Sequence, residues 1–522
     1  MRETASITPS GVLGTRWRTT EFQRQITRTL VLTAALLLTL VGSFVIGKTD
    51  YGFLVVGGVL AAMCALLIAL RPEYGLYILL LFIYANVSAI LEDNYGLPDA
   101  NRYLVALIFV GTFAGRLVME RKPLVFRTVE MTILAFAIVG LLTLLVGNAE
   151  VNLITVATDV VKDLAILFIM VQLCTSEMIF KRAVWVIILT ATFLGTISIF
   201  QSVTDNYANT FYGLATSPIS DIAGGEQAAR VSGPIGDPNF YGMILAAALP
   251  SALYRLFDAR VFSARLLAGF CSAVIILTVF FTFSRGAFVT LVVLGVFIIR
   301  DRRMNPYKIA AGLLAVFLLT LPVLPSSFWD RVSSLAGILP GASQESAVQA
   351  DDSFRGRMSE YIVGMQMFYD YPLLGVGAGS YEENYLDYSA KVGLDGRFEA
   401  RQAHSLYIEI AAEQGVIGVF TFLIMLLFIF NSLRIALRNA QAIGRKDLIS
   451  WVTGVRLGLI GYLASSIFLH GDFFRYFWLY VGFAAASSVM VQEQVEQIRQ
   501  KRKLDQTFKS LPNKSSAAPT SA

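Results

Sequence analysis

Apolar runs long enough to cross a membrane recur along most of this chain, and no other feature of the sequence restricts its fold as much. A helix needs roughly 20 apolar residues to span a bilayer core, where every backbone N–H and C=O must be satisfied internally. The runs lie at 29–47, 51–70, 75–91, 103–119, 130–147, 154–174, 183–203, 240–256, 266–283, 286–299, 307–325, 407–431, 449–469 and 474–490. They predict an all-α polytopic membrane protein with about 14 transmembrane helices. The composition agrees. The chain is 56% hydrophobic and 15% charged, against about 45–50% and about 25% in soluble domains. A soluble enzyme on a single anchor and a disordered chain are both excluded. The first 28 residues are too long and polar for the n-region of a signal peptide, which predicts an uncleaved anchor. The three cysteines, Cys64, Cys174 and Cys271, all sit in apolar runs and imply no disulfide framework.

Lysine and arginine counts orient the chain, because basic loops resist transfer across the membrane. With the N-terminus cytoplasmic, the inner segments hold 29 of the 42 Lys and Arg, and every inner loop carries at least one. The expected organisation is a cytoplasmic segment 1–28, helices 1–11 over 29–325 with an outer segment 204–239, a large periplasmic loop 326–404 between helices 11 and 12, helices 12–14 over 405–490, and a polar cytoplasmic tail 491–522. Within the large loop, Met358, Tyr361, Ile362, Met365, Phe368 and Tyr369 recur at helical spacing. They predict an amphipathic helix that lies on the outer membrane face or caps a cavity.

The chain has two histidines, His404 and His470, both at the predicted outer surface. Imidazole is the side chain best matched to base catalysis near neutral pH. The plain alternative is an interfacial histidine bonded to backbone. His404 opens the run His404-Ser405-Leu406-Tyr407-Ile408-Glu409, which continues to Glu413-Gln414-Gly415-Val416-Ile417-Gly418, where the spaced glycines would admit a neighbouring helix. Arg285 lies in the short outer turn Thr282-Phe283-Ser284-Arg285-Gly286. Arg230 precedes the eighth span, followed by Asp237-Pro238-Asn239. An arginine at membrane depth marks a functional site or snorkels to the headgroups, and its planar fork suits phosphate oxygens. Asp159, Lys162 and Asp163 fall on one face of the sixth span, as an internal ion pair lining a polar cavity or as substrate contacts. There is no phosphate-binding glycine loop and no zinc motif. Asp351-Asp352 lies in a polar stretch that reads as flexible loop.

Gly356-Arg357, the run Tyr371-Pro372-Leu373-Leu374-Gly375-Val376-Gly377-Ala378-Gly379-Ser380-Tyr381, and the segment His404 to Gly418 together resemble the O-antigen ligase and O-antigen polymerase superfamily. In that family the histidine is followed by Asn, a hydrophobic pair and then Glu-x-Gly-x-x-Gly. Here Ser405 stands where the family has Asn. The Arg230 and Arg285 segments resemble the two upstream arginine motifs of the same family.

The resemblance implies a GT-C-like helical fold and an inverting, metal-independent glycosyltransferase without a cofactor. Its implied partners are a glycan donor on a polyprenyl (undecaprenyl) diphosphate, an acceptor hydroxyl on a glycan, on lipid A-core or on a protein, and the bilayer; no nucleic acid is expected. The reaction would take place at the periplasmic face of the inner membrane. His404 is the expected base. Arg230 and Arg285 are the expected diphosphate ligands, and they would also depress the His404 pKa. Glu413, Asp237, Asn239, Arg357, Asp472 and Lys162 are expected in support. A surface-polysaccharide polymerase or ligase and a protein O-glycan ligase both fit. The reading from a different class is a transporter or flippase of lipid-linked glycans, which would show two related halves.

Overall fold

The computed structural model describes residues 65, 67, 68, 71–119, 123–145, 153–222, 226–303, 344–393, 399–471 and 474–510. The chain divides into two compact units, Met1–Gly75 and Leu76–Ala522. In the first, the side chain of Arg71 lies 3.3 Å from that of Glu73. Apart from the first residues of the helix that begins at Pro72, all that follows concerns the second. The predicted span 29–47, most of 51–70, the span 307–325 and Asp472 lie outside the described residues.

Fourteen α-helices occur among the described residues: α1 Pro72–Tyr84, α2 Val87–Tyr95, α3 Ala100–Ala114, α4 Thr128–Leu144, α5 Leu153–Leu173, α6 Glu177–Val203, α7 Pro238–Asp258, α8 Phe262–Phe281, α9 Arg285–Arg302, α10 Gln344–Asp370, α11 Tyr381–Val392, α12 Leu406–Ala442, α13 Lys446–Ser465 and α14 Phe474–Ser510. One small exception to the all-α expectation is the antiparallel hairpin of β1 Ile219–Ile222 and β2 Glu226–Ala229 in the segment between α6 and α7, with Ile219 opposite Ala229.

Helices and membrane spans are not the same set. Five helices among the described residues, α6, α7, α8, α12 and α13, are long and apolar enough to cross a membrane, or six if the bent pair α1 and α2 is one span. The predicted span 75–91 is that bent pair, turned by 60°. The break falls at Asn86, which is left-handed at φ 50°, and its buried side chain donates to the Pro234 carbonyl at 2.9 Å. α9 fails the test because charged residues close both its ends, Arg285 at one and Arg300, Asp301 and Arg302 at the other. The stretch read as flexible loop is helical. Asp351 and Asp352 lie within α10, and the polar tail from 491 continues α14 to Ser510.

α7 is the most enclosed of the five spans. Asp237 starts it by accepting from the backbone N–H of Asn239 at 2.6 Å and of Phe240 at 3.0 Å, with Pro238 in the first turn where no N–H is needed. α13 packs against it through glycines. A Cβ on Gly458 would lie 2.6 Å from the Ala247 carbonyl, and one on Gly454 would lie 3.0 Å from the Ser251 Cα. Close backbone approach of this kind replaces the hydrophobic drive that lipid cannot supply.

Ion pairs gather loops that the basic-residue count assigns to one side. Lys181 contacts Asp447 at 3.0 Å and Arg445 contacts Glu177 at 2.7 Å. Arg302 donates to Asp258 at 2.8 Å, and Arg456 lies 3.3 Å from Asp301. The polar face of α5 is an ion pair, as its spacing suggests. Lys162 lies 2.6 Å from Asp159 and 3.8 Å from Asp99, the cap of α3.

Candidate functional site

The two-glycine stretch of α12 explains why the loop before α11 is so rich in glycine. Gly415 takes φ 62° and ψ −162°, a backbone region open essentially to glycine alone, and it breaks α12. At the break the helical hydrogen bonds are exchanged for bonds to the Pro372–Gly377 turn. The Ala412 carbonyl accepts from Val376 N–H at 2.9 Å and that of Glu413 from Gly377 N–H at 3.0 Å. In return, Val416 N–H donates to the Pro372 carbonyl at 2.8 Å and Ile417 N–H to that of Leu373 at 3.3 Å. No room exists for side chains. A Cβ on Gly375 would lie 2.2 Å from the Glu413 carbonyl carbon, and one on Gly415 would lie 2.4 Å from that of Leu373. The glycines thus admit a turn, where a neighbouring helix was expected. Gly415→Ala should destabilise the protein by about 3 kcal/mol or more, from backbone strain and overpacking together. A fall in the thermal unfolding midpoint in detergent checks this; an unchanged midpoint would contradict it.

This clasp fixes Glu413, whose buried carboxylate accepts from Tyr381 N–H at 3.0 Å. Glu413 therefore ties α11 to α12, which is a structural task and not that of a base. Behind the clasp, Val363, Met367, Val376, Tyr381, Tyr385 and Ala412 form one apolar cluster.

α10 turns small and polar residues inward and leaves much of its apolar stripe exposed. Gly356, Ser359, Glu360, Val363, Gly364 and Met367 are buried, whereas Met358, Met365 and Tyr369 are exposed. Small and polar residues face inward because α12 comes close: a Cβ on Gly364 would lie 2.3 Å from Ile408 Cγ2. The same face carries Glu360, 1% exposed, against His404.

His404 stands just before α12 in the left-handed region, φ 46°, which is uncommon for a residue with a Cβ. The next residue, Ser405, caps α12 by position without a side-chain bond. Leu406 N–H donates to the carbonyls of Ser466 at 3.0 Å and Leu469 at 2.8 Å, and Gly471 N–H donates to Glu409 at 2.5 Å. These bonds bring the turn after α13 alongside, so that the His404 and His470 rings lie 5.3 Å apart, with Phe240 edge-on to His470 at 5.1 Å.

His404 Nδ1 lies 3.1 Å from the Gln402 carbonyl and 3.6 Å from Glu360 Oε2. Both neighbours accept, so Nδ1 carries the proton and Nε2 keeps its lone pair. Arg401 pairs with the other Glu360 oxygen at 2.8 Å. Burial, though a third of the side chain still reaches solvent, pushes the His404 pKa down to about 4, with help from the charges of His470, Arg357 and Arg401. The depression is the one expected, but the arginines that contribute are not Arg230 and Arg285.

The two upstream arginines differ. Arg230 is 8% exposed, with Nε donating to the Thr282 carbonyl at 3.0 Å and Nη2 to Asn239 Oδ1 at 3.1 Å. Thr282, left-handed Phe283 and Ser284, which caps α9 by accepting from Ala287 N–H at 3.3 Å, form the turn that presents Arg285. Arg230 braces that turn, Asn239 holds Arg230, and Asp237 caps α7. Arg285 itself is exposed by surface area, yet burial of part of it and, second, the charge of Arg357 on α10 lower its pKa. Lys162 is engaged by Asp159 and Asp99.

One stretch of sequence spans this arrangement. Residues 270–423 match the O-Antigen ligase family. The match supports the O-antigen ligase and polymerase superfamily for this chain. It runs from α8 past the break in α12, and so includes Arg285, Arg357, the glycine clasp and His404, but not Arg230. The O-antigen ligase family implies a glycosyltransferase-like activity in a membrane, with a lipid-linked glycan and an acceptor as partners. No curated protein matches the chain.

Sequence reasoning missed Glu360 and Arg401. Their signal is weak: Glu360 is one of several acidic residues in α10, and only the three-dimensional contact with His404 singles it out. If Glu360 orients the imidazole and stabilises its charged form, Glu360→Gln should lower transfer about tenfold, which is about 1.4 kcal/mol. It should also move the acid limb of the pH–rate profile to lower pH. A lowered rate with an unmoved limb would mean that Glu360 serves only packing.

Proposed function

We propose that the protein transfers a glycan from a polyprenyl diphosphate carrier to an acceptor hydroxyl, with inversion and without a metal. The observation that carries the reading is one cluster: an imidazole whose Nδ1 is held protonated, with the charge of Arg357 acting both on it and on Arg285. Like charges kept together favour an entering anion, and a diphosphate supplies it. Arg285 and Arg357 are the diphosphate ligands in this reading, with Arg230 bracing the turn.

His404 Nε2 takes the proton of the acceptor hydroxyl as its oxygen bonds to the anomeric carbon. The bond from that carbon to the phosphate oxygen breaks, and its electron pair leaves on the diphosphate. The basic-residue alternation supports an N-in, C-in topology with α10, α11 and this cluster on the periplasmic side of the inner membrane, within the domain scheme given above. A surface-polysaccharide polymerase or ligase is the favoured subtype.

The test uses purified protein, the native lipid-linked glycan, a panel of glycan, lipid A-core and protein acceptors, and a chelator. NMR of the product should show the anomeric configuration inverted relative to the donor, with undiminished yield in the chelator. Retention of configuration, or loss of activity on chelation, would overturn the proposal.

A further inference from the structure

The exposed stripe of α10 does not face open solvent evenly; it forms one wall of a groove. Tyr361, Ile362, Met365, Gln366, Tyr369 and Asp370 of α10 and Tyr388 and Lys391 of α11 line a cavity of about 650 Å³. That volume lies within the range of about 300–1,000 Å³ typical of small-molecule sites. Tyr388 forms part of its floor, with its hydroxyl donating to Asp370 at 2.9 Å and the Lys391 ammonium 4.7 Å from its ring centre. Tyr369 is 84% exposed at the rim. At the other end the Tyr361 hydroxyl donates to the Ile467 carbonyl at 2.7 Å, in the turn that leads to His470.

We propose that this groove between α10 and α11 binds the oligosaccharide of the lipid-linked donor, beyond the sugar that reacts. The proposal rests on the transfer reading above and adds where the rest of the glycan lies. Sugar rings present C–H faces that pack on aromatic rings and hydroxyl edges that need donors and acceptors. Three tyrosines with an amide, a carboxylate and an ammonium match both demands. A lipid chain in the same groove would strip water from Gln366, Asp370 and Lys391 and return no hydrogen bonds. The position is compatible as well, since Tyr361 ties the groove to the turn that carries His470.

The test uses the full-length protein in detergent micelles and, as probe, the oligosaccharide freed from the native donor by mild acid, with neither diphosphate nor acceptor present. Saturation-transfer NMR should detect binding to the wild type. Tyr369→Ala and Gln366→Ala, both outside the reacting cluster, should each weaken binding about three- to tenfold. In turnover, both variants should raise KM for the lipid-linked donor and leave kcat unchanged. Unchanged affinity in both variants would overturn the proposal, as would quenching of a spin label at Tyr369→Cys by lipid-borne nickel with no effect of the sugar, which would make the stripe a lipid contact. If the probe binds as expected while the intact donor is never cleaved, the transfer reading fails and the groove assignment stands.

Discussion

His404→Ala is expected to lower glycan transfer by about 10²–10⁴-fold, the usual contribution of a general base, while the protein still inserts and accumulates. His470→Ala should be much milder on the rate. His470 lies behind the ring of His404, and its charge helps hold the His404 pKa down. The pH profile gives a second reading. Because the folded His404 pKa is depressed to about 4, the base is neutral above that value, and kcat/KM should fall only as pH drops through about 4. The kcat limb should lie higher, since a bound diphosphate favours the imidazolium. The sign for stability is separate. An unfolded histidine titrates near about 6.5, so the unfolded chain binds the proton first and stability should decline as pH falls from about 6.5 toward 4. Transfer retained in His404→Ala would remove the base assignment and leave Glu409 as the nearest remaining carboxylate on α12.

Arg285→Ala should cost about 10²–10³-fold in kcat, the scale for losing one preorganised partner of a developing anion. Arg285→Lys keeps the charge but loses the fork, so part of the activity should remain. The contrast with Arg230 makes the experiment specific. Arg285 is exposed, so its removal should leave the unfolding midpoint in place. Arg230 is buried and bonded to Thr282 and Asn239, so Arg230→Ala should lower both midpoint and activity. Equal kinetic losses at unequal stability cost would fit a ligand and a brace. If Arg285→Ala keeps full activity in a folded protein, the diphosphate role is lost.

Much of the helical frame was legible in the sequence, because apolar length is a strong signal. The predicted runs 183–203 and 240–256 became Glu177–Val203 and Pro238–Asp258. The break at Asn86 was not legible: no glycine or proline marks it, and the cause is a tertiary bond to Pro234. The glycine clasp was legible as a motif but not as a shape, since exchange of hydrogen bonds between a turn and a broken helix leaves no periodicity. On α10 the stripe was legible, but not what packs on the opposite face. That buried face holds Ser359, Glu360 and Gly364, because α12 comes close to it and Glu360 lies against His404. Arg357 was expected only in support, and its charge acts on both His404 and Arg285.

The central claim is that this cluster couples cleavage of a polyprenyl diphosphate to glycan transfer. Purified protein given the native lipid-linked glycan and an acceptor should release one polyprenyl diphosphate for each glycan that the acceptor gains, and His404→Ala should abolish both together. Glycan transfer without release of polyprenyl diphosphate, or passage of the intact lipid-linked glycan across a proteoliposome membrane with no cleavage at all, would contradict the account.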